Sequence, residues 1–152
     1  MAALQYLTVQ DVLWINLTVT GHPQEFDYAT LEEATFYQYA YGENKGLAQQ
    51  AARFIDGFLK KKPLAAGNEG TAFVACLAFL KANGVELKLD DPLAWFRAIE
   101  SGTHESLPSI EKYALEPHHG AHHGPETEVP DAMKSVFEQY SDTVAKLATI
   151  PA

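Results

Sequence analysis

The sequence predicts an all-α protein in which amphipathic helices surround one central apolar helix. The run from Asn68 to Ala82 carries apolar or small residues at most positions, so none of its faces is polar enough for solvent. Before it, apolar residues recur every three to four positions between Leu47 and Leu59, and this helical period stops before Pro63. Strand signals are weak, and only residues 26–28 read as extended.

The other helices are predicted from their boundaries. Thr8 and Asp11 form a capping-box variant that opens a first helix ending at Gly21, and Thr30 to Glu33 repeats that signal. The second helix is expected to end near Gly42. Pro92 opens a fifth helix, with its end near Gly102, and shorter helices are predicted at about 108–115 and 130–147.

Composition limits the classes of function. The chain has 152 residues, of which 47% are apolar and 20% charged, as expected for one globular domain. No apolar run approaches the ~20 residues of a membrane span, and the amino-terminal residues lack a signal-peptide pattern, so we expect a cytoplasmic protein. The net charge of −9 argues against nucleic-acid binding, since Lys60 to Lys62 is the one basic cluster. Cys76, the single cysteine, is expected in the core.

The segment before the central helix is the main functional candidate. A tight loop with Gly67 and Gly70 leads into the helix start, where the first N–H groups lack partners and the helix dipole is positive. Such a junction suits an anion. The candidate anion- or nucleotide-binding residues are Gly67, Asn68, Glu69, Gly70 and Thr71. Glu69 and Thr71 also fit a simpler role as first-turn residues that stabilise the helix.

This loop resembles the signature of the Fic/Doc (Fido) family, His-Pro-Phe-x-Asp/Glu-Gly-Asn-Lys/Gly-Arg-Thr. Pro63, Gly67, Asn68 and Thr71 match it. Four further stretches resemble death-on-curing-like (Doc-type) proteins in the same order. They are the opening Leu-Thr-x-x-Asp-Val-Leu at residues 7–13, the segment at 28–34 in the place of a Gly-Leu-Leu-Glu-Ser-Ala segment, the helix at 51–59, and the apolar helix with its Asn-Gly turn at 73–84. The resemblance implies a Fic/Doc-like helical core over residues 1–100, with residues 101–152 as a C-terminal extension packed on the same domain.

The family transfers AMP, phosphate or a related group from a nucleotide to a protein hydroxyl. The resemblance implies that its histidine base is replaced by Lys62, its metal-binding acid by Ala66 and its arginine by Gly70; Leu64 takes the aromatic place. Alanine cannot bind Mg²⁺, and losing a cation over the transferred group costs ~10³-fold or more. Glu69 takes the lysine-or-glycine place, where an ion pair with Lys62 is expected to fill the anion pocket.

Two functions therefore compete. In the first, the chain is a catalytically degenerate Fic/Doc-like protein that binds or regulates a protein partner and keeps the anion loop. In the second, it is an active ATP- or nucleotide-dependent transferase, toxin-like, in which Lys62 replaces the catalytic histidine. The residue losses favour the first, so we predict a protein that is not an enzyme and has no required cofactor.

Six residues near the end form a second candidate site. His118, His119, His122 and His123 lie within reach of a common Zn²⁺ or Ni²⁺ ion, and neighbouring glutamates could add oxygen ligands. The segment is rich in glycine and proline and lacks cysteine, so adventitious metal binding is the expected behaviour.

Overall fold

The computed structural model describes residues 4–40, 42, 46–115 and 128–148. Across these residues the fold is mostly helical, which confirms the all-α prediction. The described helices are α1 (Val9–Thr20), α2 (Tyr28–Phe36), α3 (Leu47–Lys61), α4 (Asn68–Ala82), α5 (Pro92–Glu100), α6 (Ser106–Tyr113), α7 (Val129–Gln139) and α8 (Ser141–Ala148). Two short strands, β1 (Glu86–Leu87) and β2 (Ala114–Leu115), pair antiparallel. No helix in the described ranges is long and apolar enough to cross a membrane.

Helix α4 is the centre of the fold, as its composition predicted. All residues from Gly70 to Leu80 are buried. The helix packs against α1 and α3, as expected, and also against α7 and α8 from the C-terminal part of the chain. Phe73 at its first turns is surrounded by aromatic rings, with centroids 5.9 Å from Phe96 and 5.5 Å from Tyr140. Edge-to-face contacts of this kind add to the stabilisation from burial alone.

The predicted start of α1 is confirmed. Thr8 Oγ1 accepts from the N–H of Asp11, and the Asp11 carboxylate accepts from the N–H of Thr8. The helix ends at Gly21, which has a left-handed φ of 81°. These reciprocal bonds supply partners for N–H groups that an uncapped helix start leaves unpaired.

Two predicted helices differ from the structure because of tertiary contacts. The second helix ends at Phe36, well before Gly42, and the side chain of Gln38 then pairs with both backbone groups of Leu7. The helix expected over residues 130–147 is two helices with a break at Tyr140. The Tyr140 hydroxyl donates to the Leu87 carbonyl at 3.0 Å, so this break anchors the C-terminal helices to β1.

The remaining differences are at short elements. The helix expected at 108–115 begins earlier, at Ser106, and its last residues instead join β2. The extended piece expected at 26–28 is present as an isolated antiparallel bridge between Phe26 and Leu64. This bridge brings the segment between α1 and α2 against the candidate loop. The division at residue 100 remains a prediction.

Candidate functional site

The candidate loop connects the end of α3 to the start of α4. Lys62 ends α3 in a left-handed conformation with φ of 44°, and its N–H donates to the Phe58 carbonyl at 2.9 Å. A non-glycine residue in this region is uncommon and usually marks a turn. The Lys62 side chain is exposed and makes no ion pair with any described residue. Its local role is therefore to end a helix.

The two loop glycines allow α1 to approach α4 closely. A Cβ on Gly67 would lie 2.4 Å from Thr20 Cγ2 and 2.9 Å from Asn16 Nδ2. A Cβ on Gly70 would lie 2.8 Å from Val19 Cγ1. Gly67 also has a left-handed φ of 80°, which favours glycine. Gly67 matches the signature and Gly70 stands in its arginine place. In this fold, side chains of α1 pack against both glycines.

The polar side chains of the loop are bonded within the protein. The Asn68 amide accepts from the Leu64 N–H at 3.0 Å and donates to the Leu64 carbonyl at 2.7 Å, so it holds the turn closed. Asn16 Nδ2, from α1, donates to the Ala66 carbonyl at 2.9 Å and to Thr71 Oγ1 at 3.1 Å. Asn16 and Thr71 are both buried. Sequence reasoning missed Asn16, although a lone asparagine among the apolar residues of α1 was a signal.

Glu69 pairs with Arg97, not with Lys62 as the sequence predicted. Its Oε2 lies 3.1 Å from Arg97 Nη1, and the same Nη1 lies 2.7 Å from Glu100 Oε1. Arg97 comes from α5, 28 positions further along the chain. The carboxylate therefore stands at the positive end of α4 with a cation already beside it. The pair is partly exposed, so its contribution to stability is small.

The groups that remain available to bind an anion at this loop are backbone N–H groups. The first helical bond of α4 runs from the Thr71 N–H to the Gly67 carbonyl at 3.0 Å. Within the described chain, the N–H groups of Asn68, Glu69 and Gly70 have no acceptor. Three donors and the helix dipole persist at this place, together with the negative charge of Glu69.

Next to the loop lies an apolar groove of about 330 Å³. Its exposed walls are Trp14 and Leu17 of α1 and Phe26 of the bridged segment, each about two-fifths exposed at 38%, 42% and 42%. Asn16 also lines it, so the groove adjoins the loop's main polar contact. Large apolar side chains grouped at a surface mark a site for interaction with another molecule.

The segment beside the groove offers an unpaired backbone edge. The Glu25 carbonyl accepts from the Ala65 N–H at 2.9 Å, which places Glu25 toward the loop. Neighbouring residues of an extended chain direct their backbone groups to opposite edges, so we expect those of Gln24 and Phe26 to be directed away from the loop. Neither backbone has a hydrogen-bond partner among the described residues.

A second polar cluster lies between α3 and α6. Ser106 Oγ, which is buried, donates to Asp56 Oδ2 at 2.6 Å. Partial burial raises the pKa of Asp56 and the charge of Glu105 adds to this, against the opposing effect of the Ser106 hydrogen bond. These residues line a cleft of about 650 Å³. The hydroxyl and carboxylate tie two helices together, and sequence reasoning did not single them out.

Cys76 is a core residue, as expected. It is buried, its Sγ lies 3.7 Å from the Ala51 carbonyl, and burial raises the pKa of its thiol far above the usual range. The candidate metal ligands His118, His119, His122 and His123 lie outside the described residues. Among those that are described, no group of three or more His, Cys, Asp or Glu side chains could hold a metal ion.

No protein-family model, no curated protein and no solved structure matches this chain.

Proposed function

We propose that this chain is a catalytically degenerate Fic/Doc-like protein that binds a segment of a partner protein beside the α4 loop. The signature residues that match the family are those of the backbone turn, and the places of the base, acid and arginine hold Lys62, Ala66 and Gly70. The contact of Gly70 with Val19 leaves no space for a longer side chain. Binding without transfer is the function that this arrangement supports best.

One observation supports the binding role above all others: an unpaired extended edge lies next to an apolar groove. A partner segment in extended conformation can hydrogen-bond to the edge at Gln24 and Phe26 and place an apolar side chain between Trp14 and Leu17. Glu25 and Asp27 flank Phe26 and are exposed, so basic residues in the partner complement this surface. The proposed partner is therefore an extended peptide with alternating apolar and basic residues.

The loop itself is proposed to bind a phosphate group weakly. The unpaired N–H groups of Asn68, Glu69 and Gly70 are the donors for it. The Glu69 carboxylate opposes binding by charge repulsion and engages Arg97, the nearest cation. In this proposal a nucleotide is a weak ligand of the loop and not a substrate.

The experiment is selection of a displayed peptide library on the purified protein. We expect enriched peptides with apolar and basic residues in alternation, and loss of their binding in Leu17→Asp and in Gln24→Pro. The first variant changes the apolar wall of the groove. The second removes an outward N–H but also replaces a side chain that lines the groove, so Gln24→Ala, which keeps the N–H, is compared with it. Phe36→Asp is the matched control, since Phe36 is similarly exposed (48%) but does not line the groove.

The alternative outcomes are distinct. If the enriched peptides bind Leu17→Asp and Gln24→Pro as well as the unmodified protein, the groove is not the binding surface. If they are lost equally in Phe36→Asp, binding reflects general surface apolarity, and the proposal fails.

A further inference from the structure

A cavity of about 520 Å³ lies between α5 and α6, away from the α4 loop. Ala94 and Ala98 stand four positions apart on α5, and their short side chains leave space in this cavity, which is open to solvent and which Leu89 and Pro108 also line. Trp95 lines the same space. The volume is in the range of sites for small molecules, which are mostly apolar with a few polar groups.

The aromatic wall of this cavity is held in place before any ligand arrives. Trp95 Nε1 donates to the Ser109 carbonyl at 3.0 Å, which joins α5 to α6. The indole also meets the Phe73 ring edge-on, with centroids 6.3 Å apart. A wall whose rotamer is fixed by packing and a hydrogen bond loses little entropy when a ligand binds.

The rim of the cavity is acidic. Three carboxylates stand against one ammonium, a formal charge of −2 with the histidine neutral, and the rim residues are Asp90, Asp91, His104, Glu105 and Lys112. Asp91 caps α5 by accepting the Ala94 N–H at 3.1 Å. Asp90 and Glu105 make no ion pair with any described residue. Lys112 lies over the Tyr113 ring at 5.4 Å.

We propose that this cavity binds a small organic cation with an apolar body. The apolar part lies against Trp95 and the two alanines, and the ammonium lies at the rim beside Glu105, next to Ala98. A primary ammonium needs only one carboxylate beside it, whereas the described residues include no group of three side chains that could hold a metal ion. The chain's net charge of −9 adds a long-range attraction for cations. This inference is independent of the α4 loop and of the proposed peptide surface.

The test is a fluorescence titration with phenethylammonium, using 2-phenylethanol and 3-phenylpropionate as neutral and anionic analogues of similar size. Trp14→Phe leaves Trp95 as the sole tryptophan, so the signal reports this cavity. We expect the cation to bind about tenfold more tightly than the neutral analogue, and the anion more weakly than both. Raising the salt concentration should weaken the binding of the cation and leave the binding of the neutral analogue unchanged.

Two variants separate the apolar and the charged contributions. Ala98→Leu fills the cavity without changing charge and should abolish binding, with thermal unfolding as the check that the protein still folds. Glu105→Gln should lower the affinity for the cation about threefold and leave the affinity for the neutral analogue unchanged. Glu111→Gln is the control, since Glu111 is exposed on the same helix but does not line the cavity.

Several results would overturn the proposal. Equal affinity for the three analogues would mean that burial of the apolar ring alone drives binding and that the acidic rim contributes nothing. Unchanged binding in Ala98→Leu would place the ligand elsewhere. The absence of any fluorescence response up to about 10 mM of the cation would show that the cavity is not a site for this class.

Discussion

The start of α4 and the cavity between α5 and α6 contrast in what occupies them. At the start of α4, Gly67 and Asn68 match the signature that the loop resembles, but α1 packs onto Gly67 and Gly70 and Asn68 bonds to its own turn. The cavity carries no signature, yet its small side chains leave space beside a fixed indole. Residues that match a motif can thus serve packing, while open space arises where no motif is present.

The largest effect is expected where the loop is most tightly packed. Gly70→Arg places a long charged side chain against Val19 at a buried position, so we expect a loss of more than about 3 kcal/mol of unfolding free energy. Chemical denaturation of Gly70→Arg and Gly70→Ala measures it, and Val19→Ala should partly rescue Gly70→Ala. A fully stable Gly70→Arg protein would mean that α1 does not close the arginine place.

Removing Asn16 tests the polar half of the same contact. Asn16→Ala leaves the Ala66 carbonyl and Thr71 Oγ1 without their donor, and we expect a loss of about 2 kcal/mol. Thr18→Ala, an exposed change on the same helix, is the control in the same urea titration. An effect no larger than that of Thr18→Ala would indicate that water replaces the Asn16 amide at no cost.

Neutralising Glu69 should open the helix start to anions. Glu69→Gln removes the repelling charge and releases Arg97 from one of its two carboxylates, so we expect phosphate to bind about tenfold more tightly than to the unmodified protein. Isothermal titration with inorganic phosphate measures this. Glu100→Gln is the matched control, because it frees the same arginine but leaves the charge at Glu69. Identical phosphate affinity in all three proteins would count against an anion site at the loop.

The smallest predicted effect concerns Asp56 in the cleft between α3 and α6. Partial burial raises its pKa in the folded protein above 3.8, so its favourable contribution to stability is complete below that pH and is lost as pH rises through the folded pKa. Asp56→Asn should therefore gain stability relative to the unmodified protein as pH rises above 3.8, by no more than about 0.5 kcal/mol, because Asp56 is exposed and solvent screens the effect. Thermal unfolding at a series of pH values above 3.8 measures this gain. A relative loss of stability in Asp56→Asn with rising pH would contradict the prediction.

The sequence predicted the central helix and its partners because local composition alone indicates that this helix is buried on all sides. Asn68 to Ala82 carries apolar or small residues at most positions, and the three-to-four residue apolar period before it is typical of an amphipathic helix. The break at Tyr140 was not predictable in this way, because it depends on the Leu87 carbonyl, 53 positions away. Tertiary contacts overrode a continuous helical pattern there.

The candidate site was predictable only in its backbone. The glycines of the loop indicated a turn before a helix, and the turn is present with Gly67 in the left-handed region. The pairing of Glu69 with Arg97 joins separate helices, and no local spacing could indicate it. Likewise, the packing of Val19 on Gly70 depends on how α1 crosses α4.

We propose that this chain has a Fic/Doc-like loop without transferase chemistry, and the most direct test of this central proposal measures transfer itself. Purified protein is incubated with labelled ATP and a cell lysate, beside Lys62→Ala and a heat-denatured sample. We predict no protein labelling above that of the denatured sample, since the places of the base, the metal-binding acid and the arginine hold Lys62, Ala66 and Gly70. Robust labelling by the unmodified protein that is abolished in Lys62→Ala would contradict this account and identify Lys62 as the catalytic residue.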